Sequence, residues 1–272
     1  MDFSVLMSVY IKESPKFLEQ SLESLLINQT LLPTDIVLVK DGPLTDGLES
    51  VIAKYKLQFP DRLNVIGLAE NQGLGKALNI GLAYCNCELV ARMDSDDISA
   101  EHRFETQIKL FEQNKSLDIV GGNIIEFYDT PLSPISERKV PLKMQDIIKM
   151  MKRRNPMNHV SVMFKKSAVI NAGGYQHLPY LEDYYLWIRM VESNCLMANI
   201  DDTLVYVRTG AAMYKRRGNK EYIRGWYTLQ KKMKEMGNVN SINVVYNMAT
   251  IIGFIYMPAG IKELAYKRLL RK

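Results

Sequence analysis

The sequence predicts an α/β fold in which a mostly parallel central sheet is flanked by helices and followed by a helical C-terminal extension. Short apolar segments alternate with helical patterns through the first half of the chain, and this alternation is typical of parallel sheets. The chain has 272 residues, 47% of them hydrophobic and 24% charged, so it can build one large core. The composition excludes disordered and fibrous classes.

Four strands and three helices are expected in order, because apolar runs are separated by helical spacing and turn residues. The strands are Phe3–Val9, Asp35–Lys40, Leu63–Gly67 and residues 88–93, and the helices are residues 16–28, 47–59 and 74–82. Ser14 and Pro15 are a typical start for the first helix, and the third has apolar residues spaced by three and four. Helical crossovers join parallel strands, so the ends after Val9, Lys40 and Met93 should share one sheet edge.

An acidic cluster follows the fourth strand directly, with Asp94, Asp96 and Asp97 grouped around Ser95. Open α/β sheets bind ligands at the carboxyl edge of their strands, and carboxylate oxygens suit a divalent cation that bridges to phosphates. A metal-assisted phosphate-ester site is the first hypothesis, and a solvated turn is the alternative. An EF-hand calcium loop is excluded, because Ile98 stands where an oxygen ligand is needed.

Residues at the other strand ends should lie near this acidic cluster. Tyr10 offers an aromatic face for a base, and Asp41 can accept a hydrogen bond from a ring N–H. Asn71 and Lys76 lie in a glycine-bearing loop that opens a helix, where free amides attract anions. The structural alternatives are that Tyr10 only packs at an interface, that Asp41 only forms a turn, and that the loop is a plain helix start. Neither a Rossmann fingerprint nor a Walker loop is expected, because the glycine spacing is wrong.

Five segments, taken in order, form a more specific pattern. They are residues 5–10, 37–42, 71–81, 91–97 with Arg103 and Phe104, and 181–187. In sequence and spacing they resemble the family-2 inverting nucleotide-sugar glycosyltransferases, and the likeness covers most of residues 3–210. The resemblance implies the GT-A fold, with a Rossmann-like, mostly parallel central sheet flanked by helices.

The resemblance also implies the site residues. It implies a nucleotide-sugar site formed by Tyr10, Asp41, Asn71, Lys76, Asp94 and Ser95. Tyr10 and Asp41 would hold the nucleobase, and Asp96 would be the principal ligand of Mn²⁺ or Mg²⁺, with Asp94 beside it. Asp183 would be the general base. These roles suit the chemistry, because a cation stabilises a departing diphosphate and a carboxylate on the opposite face takes the proton of the acceptor.

Further candidates for acceptor or pyrophosphate contacts are less specific. The histidine that many relatives place after the strand ending at Arg208 is missing, and Arg208 with Arg216 and Arg217 would instead neutralise a pyrophosphate. A solvated basic loop is the alternative. Glu182 precedes Asp183, which begins a predicted helix, and for both the alternative is that acidic residues are common at a helix start in any case. His159 would orient the acceptor, and a structural histidine is the alternative.

The predicted division of the chain is a catalytic domain at residues 1–237 and an amphipathic, basic extension at 238–272. Residues 244–257 are apolar but too short to span a bilayer, which needs about 20 residues. Residues 261–272 interleave apolar and basic side chains and are expected to lie on an anionic leaflet, or alternatively to fold back on the domain. No secretory signal is visible, so a cytoplasmic location is expected.

The expected function is metal-dependent, inverting transfer of a hexose from a UDP-linked sugar to a saccharide acceptor on polyprenyl pyrophosphate. The setting would be bacterial surface-polysaccharide assembly, with peripheral contact to the inner face of the cytoplasmic membrane. No basic and aromatic constellation indicates nucleic acid. The alternatives are a nucleotidyltransferase, whose glycine-rich basic loop is missing from residues 8–14, and a non-catalytic nucleotide-sugar-binding membrane scaffold.

Overall fold

The computed structural model describes residues 1–209 and 220–257 and confirms the expected alternation. Strands β1 to β4 span Phe3–Val9, Asp35–Lys40, Leu63–Gly67 and Leu89–Arg92, and helices α1 to α3 span Pro15–Leu26, Asp46–Gln58 and Leu74–Tyr84. The bounds differ from the expected ones by at most two residues. Differences of this size are usual at the ends of helices and strands.

The second half adds shorter elements around a long strand. They are β5 (Ile98–Ser99), α4 (Arg103–Gln113), β6 (Leu117–Phe127), β7 (Pro134–Arg138), α5 (Met144–Met151), a 3₁₀ turn (His159–Ser161), β8 (Met163–Lys165), α6 (Lys166–Asn171), α7 (Glu182–Glu192) and β9 (Leu196–Arg208). Two helices follow, α8 (Lys220–Glu235) and α9 (Ser241–Tyr256).

The strands of the described chain form one sheet in the order β3-β2-β1-β4-β8-β6-β9-β5, and β7 pairs with β6. The pairs β1–β2, β1–β4 and β2–β3 are parallel, as the crossover helices require. β8 is antiparallel to both β4 and β6, and it joins the parallel first half to the later strands. The first four strands therefore end at a common edge.

Both faces of the sheet are buried, which explains why its strands are almost continuously apolar. In β1, Phe3, Val5 and Met7 belong to the core under α1 and α4, whereas Leu6 belongs to the opposite core under α3 and α7. Helix α3 lies very close to the sheet, since a β-carbon at Gly81 would stand 2.5 Å from Leu6 Cδ1. This close packing fixes the start of α3 relative to the strand ends.

The helical C-terminal region is confirmed for α8 and α9. Trp226, Leu229 and Met233 of α8 are buried in the same core as Leu6. In α9 the buried Asn247 amide donates to the Lys152 carbonyl oxygen at 2.8 Å and to Gln230 Oε1 at 2.9 Å. The division at residues 237/238 stays a prediction, and residues 261–272 lie outside the described part of the chain.

None of the helices in residues 1–209 and 220–257 has the length and apolar character needed to cross a membrane.

Candidate active site

The carboxyl ends of β1, β2 and β4 carry the first candidate residues. The Asp41 amide donates to the Val9 carbonyl oxygen at 2.8 Å, and the Met93 amide bonds to β1 as well, at 3.1 Å. Tyr10 follows Val9 and Asp94 follows Met93 in the chain. The structure therefore brings Tyr10, Asp41 and Asp94 to the same edge of the sheet.

The carboxylate of Asp41 holds the loop that opens α3. Its two oxygens accept hydrogen bonds from the amides of Gln72, at 2.7 Å, and Gly73, at 3.1 Å. The Asn71 side-chain amide returns a bond to the Asp41 carbonyl oxygen at 3.1 Å. Asp41 is buried, so these bonds satisfy a carboxylate that water does not reach freely. The predicted base contact of Asp41 would have to share an oxygen with this loop.

Close approach of two backbone segments explains the glycine after Asp41. Gly42 has φ +89°, and a β-carbon there would stand 2.8 Å from the Asn71 amide nitrogen. Another residue would push the loop away from the strand end. Asn71 and Lys76 are themselves exposed, and Lys76 lies in the first turn of α3. Both side chains are therefore accessible from this edge.

The acidic cluster has an internal structure of its own. Asp94 pairs with the buried guanidinium of Arg92. Asp97 is buried, and its Oδ1 accepts the backbone amide of Arg208 at 2.7 Å. Burial, with the charges of Asp96 and Asp94, raises the pKa of Asp97 well above its ordinary value. Asp97 thus anchors the end of β9, and the half-buried Asp96 remains beside it.

A fourth carboxylate joins this cluster, and the sequence analysis missed it. Glu13, in the loop after β1, accepts a hydrogen bond from Ser95 Oγ at 3.4 Å, and burial raises its pKa. Burial, followed by the charges of Asp94 and Glu13, raises the pKa of Asp96 to about 7. A bound cation would offset the mutual repulsion of these carboxylates.

Arg208 supplies one fixed positive charge to the acidic cluster. Its Nε donates to the Asp96 carbonyl oxygen at 3.1 Å, and its Nη2 donates to Gln20 Oε1 at 2.8 Å. The guanidinium carbon lies 3.9 Å from the ring centroid of Phe17 and 4.6 Å from that of Phe127. Arg208 is held on both faces, so it is a built-in counter-charge. Its predicted contact with pyrophosphate stays a prediction, and Arg216 and Arg217 lie outside the described residues.

Asp183 lies at the start of α7, where the sequence placed it. Its Oδ2 accepts a hydrogen bond of 2.6 Å from the Asn155 side-chain amide. The neighbouring Glu182 is half-buried against the start of α3, and a β-carbon on Gly75 would stand 3.4 Å from its Cγ. Burial, with a smaller contribution from Asp183, raises the pKa of Glu182 to about 7. The two acidic residues are thus in different environments.

The half-buried His159 lies within the influence of charges on both the Asp94 side and the Asp183 side of the site. His159 Nε2 bonds to the Tyr175 hydroxyl at 2.9 Å. Burial, helped by the Arg92 charge, lowers the pKa of His159 to about 4, whereas the charges of Asp183 and Asp94 act in the opposite direction. His159 is therefore neutral near pH 7 and has a hydrogen-bond partner, which favours the structural interpretation of this residue.

Sequence signals for the missed residues differ in strength. Arg92 is a charged residue in a strand whose four positions are all buried, and that conflict with burial was visible in the sequence. Glu13 follows the end of β1 by four residues, at the functional edge. Asn155 gave no signal, because its importance comes from a contact with a residue 28 positions later.

Comparison with known proteins agrees with this architecture. The family model described as glycosyl transferase family 2 matches residues 4–175. The amylovoran biosynthesis glycosyltransferase AmsE of Erwinia amylovora is 39% identical over 98% of both chains. The UDP-Gal:alpha-D-GlcNAc-diphosphoundecaprenol beta-1,3-galactosyltransferase of Escherichia coli is 34% identical over 99% of this chain and 97% of its own.

A solved structure supports the fold independently of close sequence identity. Residues 1–349 of S. aureus TarS, in complex with UDP-GlcNAc, align with a TM-score of 0.68 and 17% identity, over 99% of this chain and 76% of that one. The fold and the relatives together define a GT-A glycosyltransferase. The chain belongs to glycosyl transferase family 2.

Proposed function

We propose that this protein is a metal-dependent, inverting hexosyltransferase that takes its sugar from a UDP-linked donor and acts on a saccharide carried by polyprenyl pyrophosphate. The observation that carries the proposal is a pair of separate carboxylate groups, Asp94 to Asp97 after β4 and Asp183 at the start of α7, where Asn155 holds it at 2.6 Å. A donor needs the first group and an acceptor hydroxyl needs the second. The Escherichia coli relative, a UDP-Gal:alpha-D-GlcNAc-diphosphoundecaprenol galactosyltransferase, supports both substrate classes.

The proposed donor site is built from the sheet edge. It consists of Tyr10, Asp41, Asn71, Lys76, Asp94 and Ser95. A carboxylate offers about four acceptor positions, so Asp41 can hold the Gln72 and Gly73 amides and still accept a bond from a uracil N–H. Lys76 and Asn71, both exposed at the start of α3, are placed to meet the phosphates.

The acidic cluster fits a divalent cation by the chemistry of its donors. Among the described residues, no three His, Cys, Asp or Glu side chains are arranged to hold a metal by themselves. Mg²⁺ is nevertheless commonly held by one or two carboxylates together with phosphate oxygens of the substrate. Asp96 and Asp94 would be those carboxylates, since Asp96 is only half-buried and a cation would offset the repulsion that, after burial, raises its pKa. A bound Mn²⁺ or Mg²⁺ would act as a Lewis acid on the leaving diphosphate.

The proposed chemical step is a single displacement. Asp183 takes the proton of an acceptor hydroxyl, whose oxygen forms a bond to the anomeric carbon while the bond from that carbon to the diphosphate oxygen breaks. UDP leaves, and the anomeric configuration inverts. Asn155 binds Oδ2 of Asp183, so Oδ1 would be the oxygen that takes the proton. Glu182, His159 and Arg208, with Arg216 and Arg217, are the further candidates for contacts to the acceptor or its pyrophosphate.

The proposed setting is surface-polysaccharide assembly, such as O-antigen, capsule or exopolysaccharide. The role of the AmsE relative in amylovoran biosynthesis supports this assignment. A lipid-linked acceptor would place the protein at the inner face of the cytoplasmic membrane, as a peripheral protein in contact with the bilayer surface.

The proposal is tested by incubating the protein with UDP-sugars, Mn²⁺ and a short-chain saccharide diphosphate acceptor. We expect UDP release that depends on both acceptor and metal, and a product whose new anomeric centre is inverted when examined by NMR. Release of inorganic pyrophosphate in a parallel incubation with UTP and a sugar 1-phosphate would instead indicate a nucleotidyltransferase. Tight binding of UDP-sugar without turnover by any acceptor would indicate a non-catalytic binding protein, and either result would contradict the proposal.

A further inference from the structure

Helix α9 has two apolar faces, although only one of them packs against the protein. No residue of Ser241–Tyr256 is charged. Its inner face packs on the core through Val244, Met248 and Ile251. The outer face consists of large side chains that are 40% to 78% exposed, namely Ile242, Val245, Tyr246, Ile252 and Tyr256. No residue in the described ranges buries this outer face, so it calls for an external partner.

Cations border this apolar face on the side of α5. Lys149, Lys152 and Arg153 are exposed, and residues 147–154 contain four basic residues and no acidic one. The border is fixed to α9 by the bond from Asn247 to the Lys152 carbonyl oxygen at 2.8 Å. The Arg153 guanidinium also lies 5.7 Å from the ring centroid of Tyr246. The apolar and basic parts are therefore one continuous surface.

We propose that the outer face of α9 and the cations of residues 149–154 form a docking surface for an anionic lipid bilayer. Helix α9 would lie in the plane of the interface, with Ile and Val among the acyl chains and tyrosines at headgroup level. Anionic headgroups would meet Lys149, Lys152 and Arg153.

Charge complementarity favours a bilayer over the two proteinaceous alternatives. A second copy packing on the same face by two-fold symmetry would bring the cations of both chains together. Residues 258–272 contain five basic residues and one acidic residue, so folding them over this surface would also place cations against cations. An anionic leaflet matches both the apolar face and its border.

The docking surface also sets the direction in which the candidate active site faces, a point that rests on the proposed function. Lys152 is three residues from Asn155, whose side chain holds Asp183. Three residues span no more than about 11 Å. A protein seated on α9 thus keeps the proposed base near the leaflet, where the sugar of a lipid-linked acceptor would be.

The test is flotation of the full chain with vesicles of phosphatidylglycerol and phosphatidylethanolamine, compared with neutral phosphatidylcholine vesicles. The test variant is Ile242→Asp with Val245→Asp, and the matched control is Leu57→Asp, because Leu57 is 86% exposed on a distant helix. We expect the double variant to bind anionic vesicles at least about tenfold more weakly. Leu57→Asp should bind like wild type, and Lys149→Glu with Lys152→Glu should weaken binding only to the anionic vesicles.

Wild-type binding by the double variant would overturn the proposal. So would a change from dimer to monomer, measured by light scattering, with unchanged vesicle binding, because the face would then be a contact between copies. Circular dichroism should show a native spectrum for the double variant, since both positions are exposed. Turnover with a water-soluble acceptor is measured in parallel. Its absence in the wild type would contradict the proposed function alone, and unchanged vesicle binding would contradict the docking surface alone.

Discussion

The side-chain amide of Asn155 donates a hydrogen bond of 2.6 Å to Oδ2 of Asp183. Asn155 is itself fixed, since its carbonyl oxygen accepts from Arg138 Nη2 at 2.8 Å and its Oδ1 accepts the Met157 amide at 3.2 Å. A carboxylate bound through one oxygen has a defined orientation, and its other oxygen is directed by that bond. Asn155 is therefore a positioning residue for the proposed base.

The first prediction separates binding from chemistry at Asp183. Asp183→Asn keeps the size of the side chain but removes its basic oxygen, so kcat should fall by roughly 10²- to 10⁴-fold. Donor affinity should stay near wild type, because a base for the acceptor has little contact with the donor. Titration with UDP-sugar and acceptor-dependent turnover are measured on one preparation. The exposed Asp61→Asn is the control, and joint loss of donor binding and turnover in Asp183→Asn would assign Asp183 to the donor site.

The second prediction concerns Asn155. Hydrogen bonds to charged groups contribute about 1.5–3 kcal/mol, so Asn155→Ala should lower kcat by roughly 10- to 100-fold. KM for the donor should not change, and Asn155→Gln should not fully rescue, because the longer side chain moves the amide. A rise in donor KM with unchanged kcat would show that Asn155 contributes to donor binding and does not position Asp183.

The third prediction joins activity and stability at Asp96. Asp96→Asn should abolish metal-dependent UDP release, since a carboxylate ligand becomes a neutral amide. Burial and the neighbouring carboxylates raise the folded-state pKa of Asp96 to about 7 from an ordinary value of 3.8. The folded protein therefore holds this proton more tightly than the unfolded chain. The resulting stabilisation is complete below about pH 4 and is lost as pH rises through about 7.

Thermal unfolding in EDTA at pH 5 and pH 8 measures this effect. The melting temperature of the wild type should be lower at pH 8 than at pH 5, and that of Asp96→Asn should fall by less. A difference of about 1 kcal/mol corresponds to roughly 2–4 °C for a chain of this size. Mn²⁺ should raise the melting temperature of wild type at pH 8 and leave the variant unchanged. The exposed Asp61→Asn serves as a control. An identical change of melting temperature with pH in all three proteins would contradict the repulsion of Asp96 by its neighbouring carboxylates.

The fourth prediction concerns the loop held by Asp41. Gly42→Ala combines an unfavourable φ of +89° with a β-carbon 2.8 Å from the Asn71 amide nitrogen. It should cost about 1–3 kcal/mol of stability and weaken UDP binding, because the loop must move. Gly237→Ala isolates the backbone strain, since Gly237 has φ +79° and nothing within 4 Å of its added β-carbon. Equal effects of the two variants on UDP binding would show that the loop held by Asp41 takes no part in binding the donor.

The fifth prediction concerns residues 258–272. Their five basic residues should add salt-sensitive attraction to anionic vesicles. A chain ending at Met257 should therefore bind such vesicles more weakly than the full chain at low salt. Its binding should fall less when salt is raised, and its donor hydrolysis should be retained. Vesicle co-sedimentation across a salt series gives the comparison. Equal salt dependence of the two chains would show that the segment takes no part in the attraction.

Local patterns allowed the parallel half of the sheet to be predicted, because strand and helix periods are written in neighbouring residues. Distant contacts could not be read in the same way. Glu13 meets Ser95 across 82 positions, and Asn155 meets Asp183 across 28. The contacts of the Arg208 guanidinium with Gln20 and two aromatic rings could not be predicted either, because they depend on where β9 ends in the sheet.

The contacts of Arg208 bear on how the protein matures during synthesis. Its backbone amide binds Asp97 across 111 positions, and its guanidinium binds Gln20 across 188. Contacts of such sequence separation form late, because a long loop must be closed first. A nascent chain that has not yet released β9 from the ribosome therefore lacks the counter-charge for its acidic loop. Arg208 can therefore reach the acidic loop only after most of the polypeptide has been made.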